Sequence, residues 1–220
     1  QILEIKYKGV VKHIRINLIG KIQIKNILMA LIAAEKSGLN LNKILNVLPS
    51  LKPIEGRFEK IGMIKNKSKV VLDYAHTPDA LKTCLLNLKE QFPDKKIILL
   101  FGCGGNRDQN KRSKMGKIAD TFSDEIYLTD DNPRFESSDK IREDIRIGIK
   151  KTKVIEISDR GKAIGQAIKN LRTGEILLVA GKGHEKVQDL GKRKIFFSDK
   201  KIILESIKTK NHSLSNNLKL

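Results

Sequence analysis

Short apolar segments alternate with helix-length amphipathic stretches from residue 70 onward, and this alternation constrains the fold more than any other feature of the chain. It is typical of a parallel β-sheet covered by helices on both faces. The predicted strands are Val70–Tyr74, Ile97–Phe101, Glu125–Thr129, Lys153–Ile157 and Ile176–Ala180, and the predicted helices lie near residues 78–91, 111–122, 138–150 and 160–171. We therefore predict an α/β fold with a mostly parallel sheet.

The first fifty residues follow a different pattern. Residues 1–18 alternate between apolar and polar side chains, which predicts one half-buried strand. Apolar residues at helical spacing over residues 24–31 predict a helix that stops at Gly38, and those over residues 41–48 predict a second, short helix. A segment at residues 49–56 contains two prolines and a glycine, which indicates a boundary. We predict one unit over residues 1–50, a second over residues 51–207, and a polar, frayed tail over residues 208–220.

Composition excludes several classes of protein. The longest apolar run, Ile27–Ala34, has eight residues, whereas a membrane span needs about 20, and residues 1–10 have no apolar core of a secretory signal. The two cysteines, Cys84 and Cys103, fit a reducing compartment, so we expect a cytoplasmic protein. No zinc-ligand spacing is present. The net charge of +19 comes from lysines spread along the chain, whereas nucleic-acid binders usually cluster them.

Charged and glycine-rich segments follow the predicted strands. Ligands of such sheets bind beyond the carboxyl ends of the strands, so these segments are expected to meet in one place. Three glycines at residues 102–105 would let the backbone approach a ligand, and Arg107 with Lys111 and Arg112 would attract an anion. The spacing matches neither a dinucleotide fingerprint nor a phosphate-binding G-K-[ST] loop.

The segment Asp130-Asp131-Asn132-Pro133-Arg134 combines carboxylates with a guanidinium. Carboxylates can bind an ammonium group and arginine can bind a carboxylate through two parallel hydrogen bonds, so this combination suits an amino acid. Glu185, after Gly181, could also bind an ammonium group. A plain turn before proline remains the alternative for the first segment. Together the loops predict a pocket for a charged amino acid beside phosphates.

Four ordered motifs closely resemble the Mur ligase family: DYAHTPDAL (73–81), FGCGGNRD (101–108), TDDNPR (129–134) and VAGKGHE (179–185). The resemblance covers residues 18–205. It implies a Rossmann-like carboxyl-terminal domain over residues 51–207, preceded over residues 1–50 by the end of a central ATPase domain. The UDP-binding domain, the phosphate-binding loop and the carbamylated lysine of the family are not in this sequence.

The resemblance also implies an activity, that of an ADP-forming amide-bond ligase of peptidoglycan precursor synthesis that uses ATP and Mg²⁺. A side-chain carboxylate of a UDP-N-acetylmuramoyl dipeptide is phosphorylated, and the amino group of meso-diaminopimelate attacks the acyl phosphate. The chain alone is not expected to hydrolyse ATP or to form the bond. The family pattern further implies a monomer that binds neither a membrane nor a specific nucleic acid.

Site residues carry over by position. Contacts to meso-diaminopimelate are implied for Arg107, Asp131, Asn132, Pro133, Arg134, Gly181 and Glu185, with Arg134 on the distal carboxylate. Nucleotide contacts are implied for Asn26, Arg57 and Asp73. The companion of Asn26, three residues earlier, is Gln23. No catalytic residue and no metal ligand of the family falls within this sequence, and His76 and His184 receive no role.

Two alternatives stay open from the sequence. The chain could be a decayed, inactive fragment, or it could be a basic module that binds nucleic acid. The intact loops argue against decay, and an aromatic content of 5% with no nucleic-acid motif argues against the second. A lysine-adding ligase is the nearest alternative enzyme, and Arg134 argues against it because lysine has no distal carboxylate.

Overall fold

The computed structural model describes residues 1–7 and 9–216, and the chain divides into two compact units. The first unit is Gln1–Ile54 and the second begins at Glu55. This division falls inside the segment of residues 49–56 that contains two prolines and a glycine. Each unit has its own hydrophobic core.

In the first unit, two antiparallel strands pack with two helices. They are β1 (Ile2–Tyr7), β2 (Val10–Arg15), α1 (Lys21–Lys36) and α2 (Leu41–Val47), followed by a 3₁₀ turn at Leu48–Ser50. The single strand predicted over residues 1–18 is therefore wrong, because the chain reverses at Gly9, whose φ of 75° suits a turn. The predicted alternation holds over the end of the second strand and the residue after it, where Ile14 and Ile16 are buried and His13 and Arg15 are exposed.

The second unit is built on a six-stranded sheet. Its strands are β3 (Glu59–Met63), β4 (Lys69–Asp73), β5 (Ile97–Phe101), β6 (Glu125–Leu128), β7 (Lys153–Glu156) and β8 (Ile176–Ala180), in the spatial order β3-β4-β8-β5-β6-β7. All pairs are parallel except β3 with β4. The predicted mostly parallel α/β fold is confirmed. The edge strand β3 was not predicted, because its half-exposed residues make no apolar run.

Five helices surround this sheet: α3 (Pro78–Gln91), α4 (Asn110–Phe122), α5 (Ser138–Arg146), α6 (Arg160–Asn170) and α7 (Asp199–Asn216). One core cluster joins α6 and α7 to alternate residues of the central strands, such as Ile98, Leu100 and Val179. Successive strand residues point to opposite faces, so Leu99 and Leu178, which are equally buried, face the other layer. The prediction that β5 and β8 are buried on both faces is confirmed.

Two elements near the carboxyl end were not predicted. One is a small hairpin of β9 (Val187–Asp189) and β10 (Lys194–Phe196). The other is α7, so the frayed tail predicted from residue 208 does not hold for residues 208–216. Asn211 Oδ1 accepts the backbone N–H of Lys65 at 2.8 Å, and Lys210 Nζ donates to carbonyl oxygens at the end of α6, which holds this helix in place. Residues 217–220 lie outside the described residues.

Helix α5 ends at Arg146, earlier than the predicted residue 150, and its carboxyl end lies very close to α4. A Cβ on Gly148 would lie 2.0 Å from the carbonyl oxygen of Ser113, and a Cβ on Gly116 would lie 2.1 Å from that of Ile145. Both distances are impossible for real atoms. The two glycines therefore let the backbones of these helices touch.

Gly116→Ala is expected to lower the free energy of unfolding by about 1–3 kcal/mol, because the added methyl group overpacks a rigid backbone contact. Gly165→Ala is the matched control in α6, where the nearest atom to an added Cβ is Ser206 Oγ at 3.8 Å. That change should raise the free energy of unfolding by about 0.5–1 kcal/mol, since alanine favours helix. Urea unfolding followed by circular dichroism measures both. If both substitutions changed the free energy of unfolding in the same direction, the close approach of α4 and α5 would be contradicted.

Candidate functional site

One pocket lies at the carboxyl ends of four neighbouring strands, β4, β8, β5 and β6, and has a volume of about 420 Å³. Each strand ends in a buried residue and leads directly into a loop that lines the pocket. Its lining residues are Tyr74, His76, Thr77, Gly102, Cys103, Gly104, Arg107, Asp108, Lys111, Asp131, Asn132, Arg134, Gly181 and Glu185. The fold thus brings together loops that are far apart in sequence.

Six of the seven predicted amino-acid contacts line this pocket: Arg107, Asp131, Asn132, Arg134, Gly181 and Glu185. Pro133 does not line it. The backbone of Pro133 instead packs against the glycine loop, where a Cβ on Gly105 would lie 1.9 Å from the Pro133 carbonyl oxygen. Gly105 thereby lets the loops after β5 and β6 stack on each other.

Glu185 is held by three side chains. Its Oε1 accepts from the Tyr74 hydroxyl at 3.3 Å, and its Oε2 accepts from Asn132 Nδ2 at 3.1 Å and from Lys182 Nζ at 3.0 Å. Burial opposes ionisation of this carboxyl group, but these donors, Lys182 above all, outweigh burial and lower its pKa. Glu185 is therefore a carboxylate at neutral pH.

Lys182 was missed by the sequence analysis. It lies inside the motif VAGKGHE (179–185), but its burial depends on partners from other loops, which the sequence does not show. The side chain is 0% exposed, the opposite of what is usual for lysine.

Arg134 occupies an unusual backbone conformation for a side-chain-bearing residue, with a φ of 52°. Its backbone N–H donates to the carbonyl oxygen of Asp189 at 3.0 Å, and its Nη1 donates to the carbonyl oxygen of Gly105 at 2.7 Å. Its Nε lies 3.8 Å from Asp189 Oδ2. A guanidinium has five N–H donors, so these contacts orient the group and leave donors for an anion in the pocket.

Two charged residues that the sequence analysis placed near the ligand point elsewhere. Arg112 is buried outside the pocket, where its guanidinium donates to Glu136 Oε2 at 2.7 Å and to Asp144 Oδ2 at 3.0 Å. Asp130 pairs with the buried Arg142. The anion-attracting group predicted around the glycine loop therefore consists of Arg107 and Lys111, without Arg112.

The residues predicted to contact a nucleotide are divided between the two units. Asn26 lies on an exposed face of α1 in the first unit. In the second unit, the Arg57 guanidinium lies 4.5 Å from the centre of the Tyr74 ring. Asp73 is buried, and its two oxygens accept the backbone N–H groups of Phe58 and Ala75, each at 2.7 Å. In this arrangement Asp73 holds the backbone next to Arg57.

Among residues 1–7 and 9–216, no group of three or more His, Cys, Asp or Glu side chains could hold a metal ion. Over the same residues, no helix is long and apolar enough to cross a membrane.

Comparison with known proteins identifies relatives of the whole pocket-bearing unit. The family model "Mur ligase, glutamate ligase domain" matches residues 56–183. Among curated proteins, the UDP-N-acetylmuramoyl-L-alanyl-D-glutamate–2,6-diaminopimelate ligase of Rickettsia felis is 44% identical over 188 residues, which is 85% of this chain and 35% of that protein. The ligase of the same name from Buchnera aphidicola is 43% identical over 199 residues, which is 90% of this chain and 39% of that protein.

The matches among solved structures agree with those among curated proteins. A structure of a UDP-N-acetylmuramoyl-L-alanyl-D-glutamate–2,6-diaminopimelate ligase matches with a TM-score of 0.72 and 34% identity, covering 93% of this chain and 42% of that one. A Thermotoga maritima ligase solved with ADP shares the fold, with a TM-score of 0.63 at 20% identity, over 96% of this chain and 44% of that one. The chain therefore spans about two-fifths of the length of these relatives. The comparisons support neither an inactive fragment nor a nucleic-acid-binding module.

Cys103 lines the pocket but is expected to be unreactive in the folded protein. Burial raises the pKa of its thiol to about 12, and burial also raises the pKa of Cys84 well above its usual range. Alkylation requires the thiolate. We expect iodoacetamide at pH 8 to modify neither cysteine in the native protein and both in concentrated urea, as measured by mass spectrometry. Rapid native labelling of Cys103 alone would contradict its burial and indicate an activated thiol.

Proposed function

This chain belongs to the Mur ligase family, and we propose that it is the part of a meso-diaminopimelate-adding ligase that binds the incoming amino acid. The complete enzyme joins this amino acid to UDP-N-acetylmuramoyl-L-alanyl-D-glutamate during peptidoglycan precursor synthesis. Support comes from relatives that carry this name at 43–44% identity over most of the chain. A monomeric state and a cytoplasmic location belong to the same proposal.

The domain assignment is part of the proposal. Residues 1–50 are the end of a central ATPase domain, and residues 51–207 are the carboxyl-terminal domain that binds the amino acid. The assignment is supported by the separate core of the first unit and by the family match, which begins at residue 56.

The observation that carries the proposal is the charge pattern of the pocket. Guanidinium groups of Arg107 and Arg134 and carboxylates of Asp131 and Glu185 line one cavity of about 420 Å³. meso-Diaminopimelate carries two ammonium groups and two carboxylates. Its carboxylates can pair with the guanidinium groups of the pocket, and its ammonium groups can pair with the carboxylates. Partly desolvated hydrogen bonds between oppositely charged groups are stronger than hydrogen bonds between neutral groups.

Arg134 is the residue proposed to select diaminopimelate over lysine. Lysine has an ammonium group and no carboxylate at the end of its side chain, so Arg134 would lose its partner and repel that ammonium. The lost charged pair favours diaminopimelate by about 1–3 kcal/mol. The contact from Arg134 Nη1 to Gly105 fixes the guanidinium before the ligand arrives.

In the proposed reaction, this chain binds and orients the nucleophile. ATP, bound with Mg²⁺ mainly by the rest of the enzyme, supplies the phosphoryl group that activates the D-glutamate side-chain carboxylate. Asn26, Arg57 and Asp73 are the residues of this chain assigned to the nucleotide. The amino group held at the pocket loses a proton to water before it attacks. A C–N bond then forms as the bond from the carbonyl carbon to the phosphate oxygen breaks, and inorganic phosphate leaves.

We expect isothermal titration calorimetry to show that the chain binds meso-diaminopimelate at least tenfold more tightly than L-lysine at moderate salt. Arg134→Ala should weaken diaminopimelate binding tenfold or more, which corresponds to about 1.4 kcal/mol, and should strengthen lysine binding, because the repulsion of its side-chain ammonium is removed. Arg193→Ala is the matched control, because it removes the same charge from a residue outside the pocket.

Two results would overturn this proposal. One is equal affinity for both amino acids in the unaltered chain. The other is an equal loss of diaminopimelate binding in both arginine variants, since a non-specific charge effect would then explain it. A chain that binds neither amino acid should be retested after extension to the full length of its relatives, and failure there as well would reject the proposed substrate.

A further inference from the structure

The ammonium group of Lys182 is enclosed by three acceptors from three parts of the second unit. Nζ donates to Asn132 Oδ1 at 2.9 Å, to Glu185 Oε2 at 3.0 Å and to the carbonyl oxygen of Val187 at 2.8 Å. These contacts use all three donors of the group. Because the side chain is fully buried, no donor is turned toward water.

Lys182, Asn132 and Glu185 form a closed triangle of hydrogen bonds. Asn132 Oδ1 accepts from Lys182, which turns Asn132 Nδ2 toward Glu185 Oε2 at 3.1 Å. Asn132 Oδ1 also accepts the backbone N–H of Asp189 at 3.0 Å, which fixes the amide from a second side. Asn132 follows β6 and Glu185 follows β8, so the triangle couples two loops of the pocket.

Burying a lysine only to fill space is energetically unfavourable. Removing a charge from water is unfavourable, and an apolar side chain of similar volume is often at least as stabilising. Here the charge has a specific consequence. Without it, Glu185 Oε2 would lose its cation, and Asn132 Oδ1 would lose the donor that determines which way the amide faces.

We propose that Lys182 is a positioning residue of the amino-acid site, which acts by holding Glu185 as an oriented carboxylate and Asn132 in a single amide orientation. Lys182 does not line the pocket, so it acts through these two residues, which do. The inference rests on the proposed function, because Glu185 is the partner offered to an ammonium group of the ligand.

Several other titratable or charged groups face Glu185 and contribute to its electrostatic environment. The Tyr74 hydroxyl donates to its Oε1, while Asp131 lines the same pocket and Arg160 interacts with it electrostatically from the start of α6. On the outer side, a shallow depression also contains Glu55, Arg134, His184, Lys186, Asp189 and Lys194. Among all of these groups, Lys182 is the ammonium bonded directly to the Glu185 carboxylate.

The sign of the expected pH effect follows from the two opposing influences on Glu185. Burial raises its pKa, and Lys182 is the strongest of the donors that lower it, with a net lowering. Glu185 of the natural chain should therefore stay ionised between pH 8 and pH 5.5. In Lys182→Met burial dominates, the pKa rises above its ordinary value, and the carboxylate is lost progressively as the pH falls through that range.

The test measures the titration of Glu185 directly. Side-chain carboxyl ¹³C resonances are followed against pH by NMR in the natural chain, in Lys182→Met and in Lys186→Met, with Glu185→Gln used to assign the signal. Lys186→Met is the matched control, because it removes an exposed lysine next to Glu185 in sequence. The Lys182 variant should raise the Glu185 midpoint by about one pH unit or more, and the control should leave it within a few tenths of a unit.

Binding of meso-diaminopimelate provides a second readout. Lys182→Met should weaken binding about tenfold at pH 8 and further at pH 5.5, while the natural chain and Lys186→Met should bind similarly at both pH values. Lys182→Gln should retain part of the affinity at pH 8, because it keeps a donor for Asn132, but should show the same extra loss at pH 5.5. A general loss of stability would not produce this difference between the two pH values.

Each outcome decides the inference. An unchanged Glu185 midpoint in a folded Lys182→Met protein would overturn it and leave Lys182 a structural residue. If the buried substitution prevents folding, the natural chain still decides, since a Glu185 that titrates at or above its ordinary pKa contradicts the inference. If the natural chain binds no diaminopimelate, the proposed substrate fails while the titration still reports whether Lys182 controls Glu185.

Discussion

The ion pair between Arg160 and Asp199 fixes the part of the sheet on which the pocket depends. Both side chains are fully buried, and Arg160 Nε and Nη2 donate to the two Asp199 oxygens at 2.8 and 2.7 Å. Arg160 Nη2 also donates to the carbonyl oxygen of Ala180 at 2.9 Å. One guanidinium thus joins the start of α6, the start of α7 and the last residue of β8. The loop that carries Gly181, Lys182 and Glu185 begins at this point.

Buried cations paired with carboxylates order the interior of this protein, whose net charge is +19. Arg112, Arg142, Arg160 and Lys182 are buried cations, and each is bonded to at least one carboxylate. All four cations support loops at the carboxyl edge of the sheet: Arg112 through Glu136, Arg142 through Asp130, Arg160 through Ala180, and Lys182 through Asn132. The exposed lysines determine the net charge, whereas a few buried cations determine the shape of the pocket.

How much the sequence could predict depends on where the decisive contacts lie. Strands β5 and β8 were predicted to the residue, because burial on both faces leaves an uninterrupted apolar run. Edge strand β3 and the β9–β10 hairpin consist mostly of half-exposed or exposed residues and leave no such pattern. The gathering of four loops at one edge follows from the parallel topology alone. Arg112 and Lys182 could not be placed, because whether a cation faces a pocket or is buried behind it depends on carboxylates from distant segments.

The left-handed backbone of Arg134 has a consequence for protein engineering. A residue with a side chain at a φ of 52° is strained, and that strain costs on the order of 1 kcal/mol. Glycine at this position would relieve the strain and remove the guanidinium at once. A library selected only for thermal stability would therefore be drawn toward loss of this guanidinium, so a selection that also requires binding of the proposed amino acid is needed to retain it.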